Sequence, residues 1–87
     1  MFWVYMLECA DGSLYTGWTP DLDNRLKQHN AGRGSKYVRS RLPAELRYKE
    51  SYDTRTEAMR RECALKKLRR SEKLALIENQ GVVLQQP

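Results

Sequence analysis

The chain has 87 residues, 40% hydrophobic and 31% charged, which is enough for one domain with one modest core. No apolar run approaches the ~20 residues a membrane-spanning helix requires, and the start Met1-Phe2-Trp3-Val4-Tyr5 lacks the basic region of a secretory signal, so a cytoplasmic protein is expected. Sixteen Lys and Arg against eleven Asp and Glu leave a charge of +5, a bias that attracts polyanions, chiefly nucleic acid or acidic membrane.

Phe2 to Cys9 is rich in aromatic and β-preferring residues and runs into a turn signal, so it reads as a strand; Ser13 to Trp18 reads as its antiparallel partner. The turn decides what the tyrosines can do. A two-residue Asp11-Gly12 turn pairs Glu8 with Tyr15 and puts Tyr5 and Tyr15 on opposite faces. A three-residue loop, Ala10-Asp11-Gly12 with Gly12 left-handed, pairs Leu7 with Tyr15 and Tyr5 with Gly17, and both rings then share one face. Gly12 favours the second register.

A helix follows. Thr19 is its expected cap, Pro20 suits the first position, Asp21 and Asp23 suit the first turn, and Ala31-Gly32 ends it. At about 100° per residue, His29 lies roughly 20° from Leu22 and Arg25 roughly 40° beyond. Arg25 and His29 therefore stack one turn apart at the edge of the Leu22/Leu26 stripe, aimed toward the sheet. A bland account also serves: an arginine whose stem covers the core while its head reaches water, and a packed histidine.

Gly32 to Pro43 reads as a loop carrying Arg33, Lys36, Tyr37, Arg39 and Arg41. Leu46 to Tyr52 alternates as a third strand. Thr54-Arg55-Thr56-Glu57 is a capping box opening a second helix to about Arg69. Ala58, Met59, Cys63 and Leu65 form its expected apolar face, with Glu62 inside it. A buried carboxylate is expensive unless paired or bound to a cation. Either Lys66, one turn on, is its partner, or Glu62 is a metal ligand, since one carboxylate with waters and a phosphate oxygen holds Mg²⁺. Ser71 is the expected cap of a third helix closing near Gly81. Residues 1–80 are expected as the domain, and 81–87 as a loosely held tail.

Arg55, Arg60, Arg61, Lys66, Lys67, Arg69, Arg70 and Lys73 make the second helix and its exit strongly basic. A charge run is most often a solvated face. With the loop residues it can also track a phosphate backbone, and Tyr37 can stack on a base. Cys9 and Cys63 are expected reduced and structural, and with one histidine they fall short of a four-ligand zinc site. The fold class is α+β, a three-stranded antiparallel sheet flanked by three helices in the order β-β-α-β-α-α.

Val4-Tyr5-Met6, ten residues before Tyr15-Thr16-Gly17, resembles the paired motif of the GIY-YIG nucleases, and Arg25 and Glu62 follow in family order. The resemblance runs from about residue 3 to residue 77 and is strongest to small stand-alone bacterial members, through Tyr15-Thr16-Gly17, Arg25-Leu26 with His29-Asn30, and Gly34-Ser35-Lys36-Tyr37. Val4 stands where the family name has glycine, and Asn79 is left unassigned to the family's C-terminal asparagine.

The resemblance implies a GIY-YIG-like fold and a metal-dependent endonuclease with little sequence specificity, acting on DNA or RNA in repair or recombination. The implied catalytic set is Tyr5, Tyr15, Arg25, His29 and Glu62. Glu62 would hold Mg²⁺ or Mn²⁺, Arg25 would contact the scissile phosphate, one tyrosine would help activate water, and His29 would relay a proton. Expected phosphate and base contacts are Arg33, Lys36, Tyr37, Arg39, Arg41 and Lys66. Nucleic acid is the expected partner of a monomer without membrane association. The rivals are a non-catalytic nucleic-acid binder on the same fold and a protein-interaction adaptor.

Overall fold

A computed structural model describes residues 1–84. Three strands, β1 (Phe2–Glu8), β2 (Leu14–Thr19) and β3 (Glu45–Tyr52), form an antiparallel sheet in the order β2-β1-β3. The helices are α1 (Leu22–Asn30), α2 (Lys36–Arg39), α3 (Arg55–Lys66) and α4 (Arg70–Leu84). The expected β-β-α-β-α-α order holds for the longer elements. The addition is α2, one turn within the basic loop, which Ser35 caps by accepting from the amides of Tyr37 and Val38. Its Val38 is fully buried, which explains why a segment expected as plain loop winds inward.

The hairpin adopts the three-residue loop. Cys9 N–H donates to Ser13 O at 2.9 Å, Gly12 sits at φ 85, and the register pairs Leu7 with Tyr15 and Tyr5 with Gly17. The sheet's two faces bury separate clusters. Tyr5, Leu7, Cys9, Leu22 and Val38 lie on one, and Val4, Met6, Tyr48, Ala58 and Leu65 on the other. Leu46 and Tyr48 would share a face in a regular strand. A register shift between Met6 and Leu7 pairs Leu7 with Leu46 and Met6 with Tyr48, so each joins a different cluster.

Several helix ends differ from expectation. Asp21, not Thr19, caps α1: its side chain accepts from Asn24 N at 3.2 Å. The buried Thr19 hydroxyl is already engaged by Asp21 N, which leaves Pro20 outside the helix. The C-terminus closes as expected, with Gly32 at φ 79 donating to His29 O. Thr54 and Glu57 form the α3 cap.

The second long helix stops at Lys66 rather than Arg69, because Leu68 N turns back to Leu65 O and the Glu72 carboxylate takes Arg69 N at 2.9 Å. That carboxylate opens α4, so Ser71 is inside the helix and is not its cap. The expected stop at Gly81 does not occur. A glycine ends a helix by turning left-handed, only Gly12 and Gly32 have positive φ among the described residues, and α4 runs on to Leu84. The rest of the expected tail, 85–87, lies outside the described residues.

Candidate active site

Tyr5 and Tyr15 share a sheet face, with ring centroids 6.4 Å apart. Tyr5 is 2% exposed and His29 1%. The Tyr5 hydroxyl and His29 Nε2 are 2.8 Å apart. Tyr15 meets the edge of the same imidazole at 5.3 Å. Two glycines permit this closeness. A Cβ on Gly17, opposite Tyr5, would fall 2.6 Å from the Tyr5 hydroxyl, and one on Gly34 would fall 2.3 Å from His29 Nδ1. The fixed pairing of Tyr5 with Gly17 signals the first of these in the sequence. Nothing local signals the second.

Burial drives the Tyr5 hydroxyl far above the usual phenol range, Tyr15 and Glu62 push the same way, and Arg25 opposes them. Tyr5 is therefore a protonated phenol at neutral pH. Burial, then Arg25, lowers the His29 pKa, so the imidazole stays neutral. Its Nδ1 is buried without a partner. Arg25 is half-buried and makes no side-chain hydrogen bond or ion pair among the described residues. A positive head in that position has a free anion-binding capacity beside two polar rings.

Glu62 comes from α3, which packs on the opposite face, yet its charge is felt at Tyr5. The broad apolar face expected around it is narrower: Ala58 and Leu65 are buried, while Met59 is 47% exposed and Cys63 is exposed. With Cys63 in solvent, only Cys9 of the two cysteines is buried. Glu62 lies at that face's edge, 3.5 Å from Lys66 Nζ. Glu62 is a single carboxylate, and among the described residues no group of three His, Cys, Asp or Glu converges that could hold a metal ion.

The expected contact residues divide. Arg33, Lys36 and Arg39 are exposed. Arg41 is committed: its Nε pairs with Asp11 at 3.1 Å, its guanidinium lies 3.9 Å from the Tyr37 ring centre, and Nη1 donates to Tyr37 O. Tyr37 also stacks on Tyr15 at 6.2 Å, so the ring expected to take a base already has two neighbours. Tyr15, Tyr37 and Lys66 line a cleft of about 270 Å³ with Leu14, Thr16 and Lys73.

Sequence reasoning missed one anchor. Glu50 accepts from both Tyr48 and Tyr52 and pairs with Arg61 Nε at 2.9 Å. Burial alone would raise its pKa, but the hydrogen bonds from Arg61, Tyr48 and Tyr52 hold the carboxyl below its ordinary range. The Tyr52 phenol is pushed up to about 12 by burial and by Glu50. The anchor ties α3 to β3 one residue before Glu62. Its signal was Tyr48-x-Glu50-x-Tyr52, which strand alternation puts on one face.

The model of the GIY-YIG catalytic domain matches residues 1–75. The chain belongs to the GIY-YIG family. This is a nuclease family, and several relatives similar to the chain carry the name UPF0213 protein. One from Halobacterium salinarum is 53% identical over 76 residues, covering 87% of this chain and 99% of its own. The solution NMR structure of a UPF0213 protein from Bacillus halodurans is 43% identical, covers 98% of this chain and 86% of its own, and superposes with a TM-score of 0.53. That of a protein from E. faecalis is 35% identical, covers 98% and 88%, and gives 0.58. This GIY-YIG chain has no helix, among the described residues, long and apolar enough to cross a membrane.

Proposed function

We propose that the chain is a metal-assisted endonuclease that hydrolyses phosphodiester bonds in DNA, or RNA, with weak sequence preference, and that it serves repair or recombination from the cytoplasm as a monomer. The observation that carries this reading is the half-buried Arg25, without a side-chain partner among the described residues, whose charge acts on both Tyr5 and His29, with the Glu62 charge reaching the same phenol.

The tyrosines take different roles. Tyr5 is buried, protonated and fixed by His29, so it positions: its hydroxyl orients water or a phosphate oxygen. Tyr15 borders the cleft, and its hydroxyl makes no hydrogen bond among the described residues. As the phenolate, its Oη is the atom that takes the proton from the attacking water, a form that nearby positive charge favours. Arg25 binds the scissile phosphate and offsets the negative charge that grows as the phosphorus–oxygen bond breaks. Neutral His29 holds or passes a proton at Nε2. Glu62 would hold the divalent cation, which when bound would supply polarisation of the phosphate and charge for the leaving oxygen. Arg33, Lys36, Arg39 and Lys66 steer the nucleic acid.

The Glu62–Lys66 pair favours a second reading, a nucleic-acid binder that has lost catalysis. Purified protein with single-stranded, duplex and branched DNA, and with RNA, in Mg²⁺ or EDTA, separates the two. Cleavage in Mg²⁺ that EDTA abolishes supports the nuclease. Tight binding without cleavage of any substrate supports the binder.

A further inference from the structure

The cleft at the outer edge of β2 is built for an anion. Lys66 ends α3 and Lys73 lies in the second turn of α4, and both line it. Lys73 is half-buried, and among the described residues it has no carboxylate partner. A half-buried ammonium with no counter-charge gives up hydration without recompense until an anion arrives. Thr16 forms part of the same wall. It is 4% exposed, and its hydroxyl has no partner in the protein. A threonine divides between χ1 wells at small cost, so this donor can turn to an entering oxygen.

We infer that Thr16, Lys66 and Lys73 form a second phosphate subsite, which holds a phosphate of the bound strand other than the one Arg25 contacts. The inference rests on the nucleic-acid reading above. Lys66 keeps its Glu62 partner at 3.5 Å, so Lys73 brings the uncompensated charge that favours an anion here. A tetrahedral phosphate offers enough acceptor lone pairs for two ammonium groups and a hydroxyl at once. The aromatic walls, Tyr15 and Tyr37, and the room of about 270 Å³ suit the sugar attached to that phosphate. Because Tyr15 belongs both to this cleft and to the Tyr5–His29 cluster, a phosphate here fixes the strand one step from the reacting bond.

Two measurements test it. In the first, the full chain is titrated with inorganic phosphate and then pyrophosphate, without metal and at constant ionic strength, and followed by amide NMR. Saturable shifts centred on residues 16, 66 and 73 are expected, and Lys73→Gln should remove them. Weak shifts scattered over the exposed loop cations overturn the subsite.

In the second, binding to single-stranded DNA is measured in EDTA against salt. Lys73→Gln should flatten the log–log slope by about 0.7, the share of one phosphate contact. Thr16→Val should weaken binding roughly tenfold, as for one lost hydrogen bond to a charged group, without changing the slope. Thr16→Ser should restore it. Wild-type slopes and affinities in all three variants overturn the proposal. Phosphate shifts and altered slopes without cleavage in Mg²⁺ reject the nuclease reading alone; cleavage with unaltered shifts and slopes rejects the subsite alone.

Discussion

Replacing Glu62 by Gln separates chemistry from folding, because the structure bounds what its ion pair is worth. Glu62 Oε2 lies 3.5 Å from Lys66 Nζ, with side chains 19% and 54% exposed. The partner is a solvated lysine one helical turn on. Such i,i+4 pairs contribute about 0.3–0.5 kcal/mol. A domain of this size loses roughly 4–8 °C of melting temperature per kcal/mol, so Glu62→Gln should move it by no more than about 2–4 °C. Were the pair fully buried, stranding Lys66 would cost about 3–5 kcal/mol and lower melting by more than about 12 °C. If Glu62 holds the cation, cleavage per folded molecule should fall about 10²–10³-fold, the scale for removing one preorganised stabiliser of the transition state. Calorimetric melts with and without Mg²⁺, beside initial rates on the best substrate, supply both readouts. A large melting-point drop in metal-free buffer with unaltered activity per folded molecule would refute the catalytic role.

Gly34→Ala should force the His29 ring away, since the new Cβ falls 2.3 Å from Nδ1; a loss of about 1–3 kcal/mol in denaturant melts and altered Tyr5 and His29 resonances are expected. Glu50 has a depressed folded-state pKa, so its share of stability is present above its ordinary value of 4.5 and is lost as pH falls through the folded value. Melts from pH 7 down to 3 should therefore show a shallower acid limb in Glu50→Gln. The His29 pKa is also lowered, so the native chain binds its proton later than the unfolded one. Its contribution is present above 6.5 and is lost as pH falls from there toward the folded value. NMR titration of its ring should place the midpoint below 6.5, and a midpoint above it would contradict the burial assigned to this ring.

The tyrosine geometry was legible because a loop length and one left-handed glycine fix a register, and period-two alternation then fixes a face. The 3.6-residue period likewise placed Arg25 and His29 at the edge of the α1 stripe. What escaped were features that depend on contacts between distant segments. Gly34 is an ordinary loop glycine until the fold lays it on His29, and Arg61 is one of eight cations until Glu50 comes opposite. The Leu46/Tyr48 split needed a bulge that alternation does not announce. The helix ends failed for a related reason, since several residues there can serve as caps. The choice of Asp21 over Thr19, and of the Glu72 carboxylate over Ser71, follows from which groups the surrounding structure has already engaged.

The sheet order explains how the proposed site can draw on both layers. The Tyr5, Tyr15, Arg25 and His29 cluster belongs to the α1 face, whereas Glu62 and Lys66 belong to α3 on the other. Across a central strand, intervening side chains would separate them. β2 is an edge strand, so groups from both faces meet around its rim, and the cleft there draws Tyr15 from one face and Lys66 from the other. Gly17 carries no side chain opposite Tyr5, and the Glu62 charge adds the smallest share to the upward push on the Tyr5 hydroxyl. The Glu50–Arg61 anchor ties α3 to β3 one residue before Glu62. Loosening the anchor should therefore weaken activity more than stability alone accounts for, through Glu62, even though neither Glu50 nor Arg61 touches the cleft.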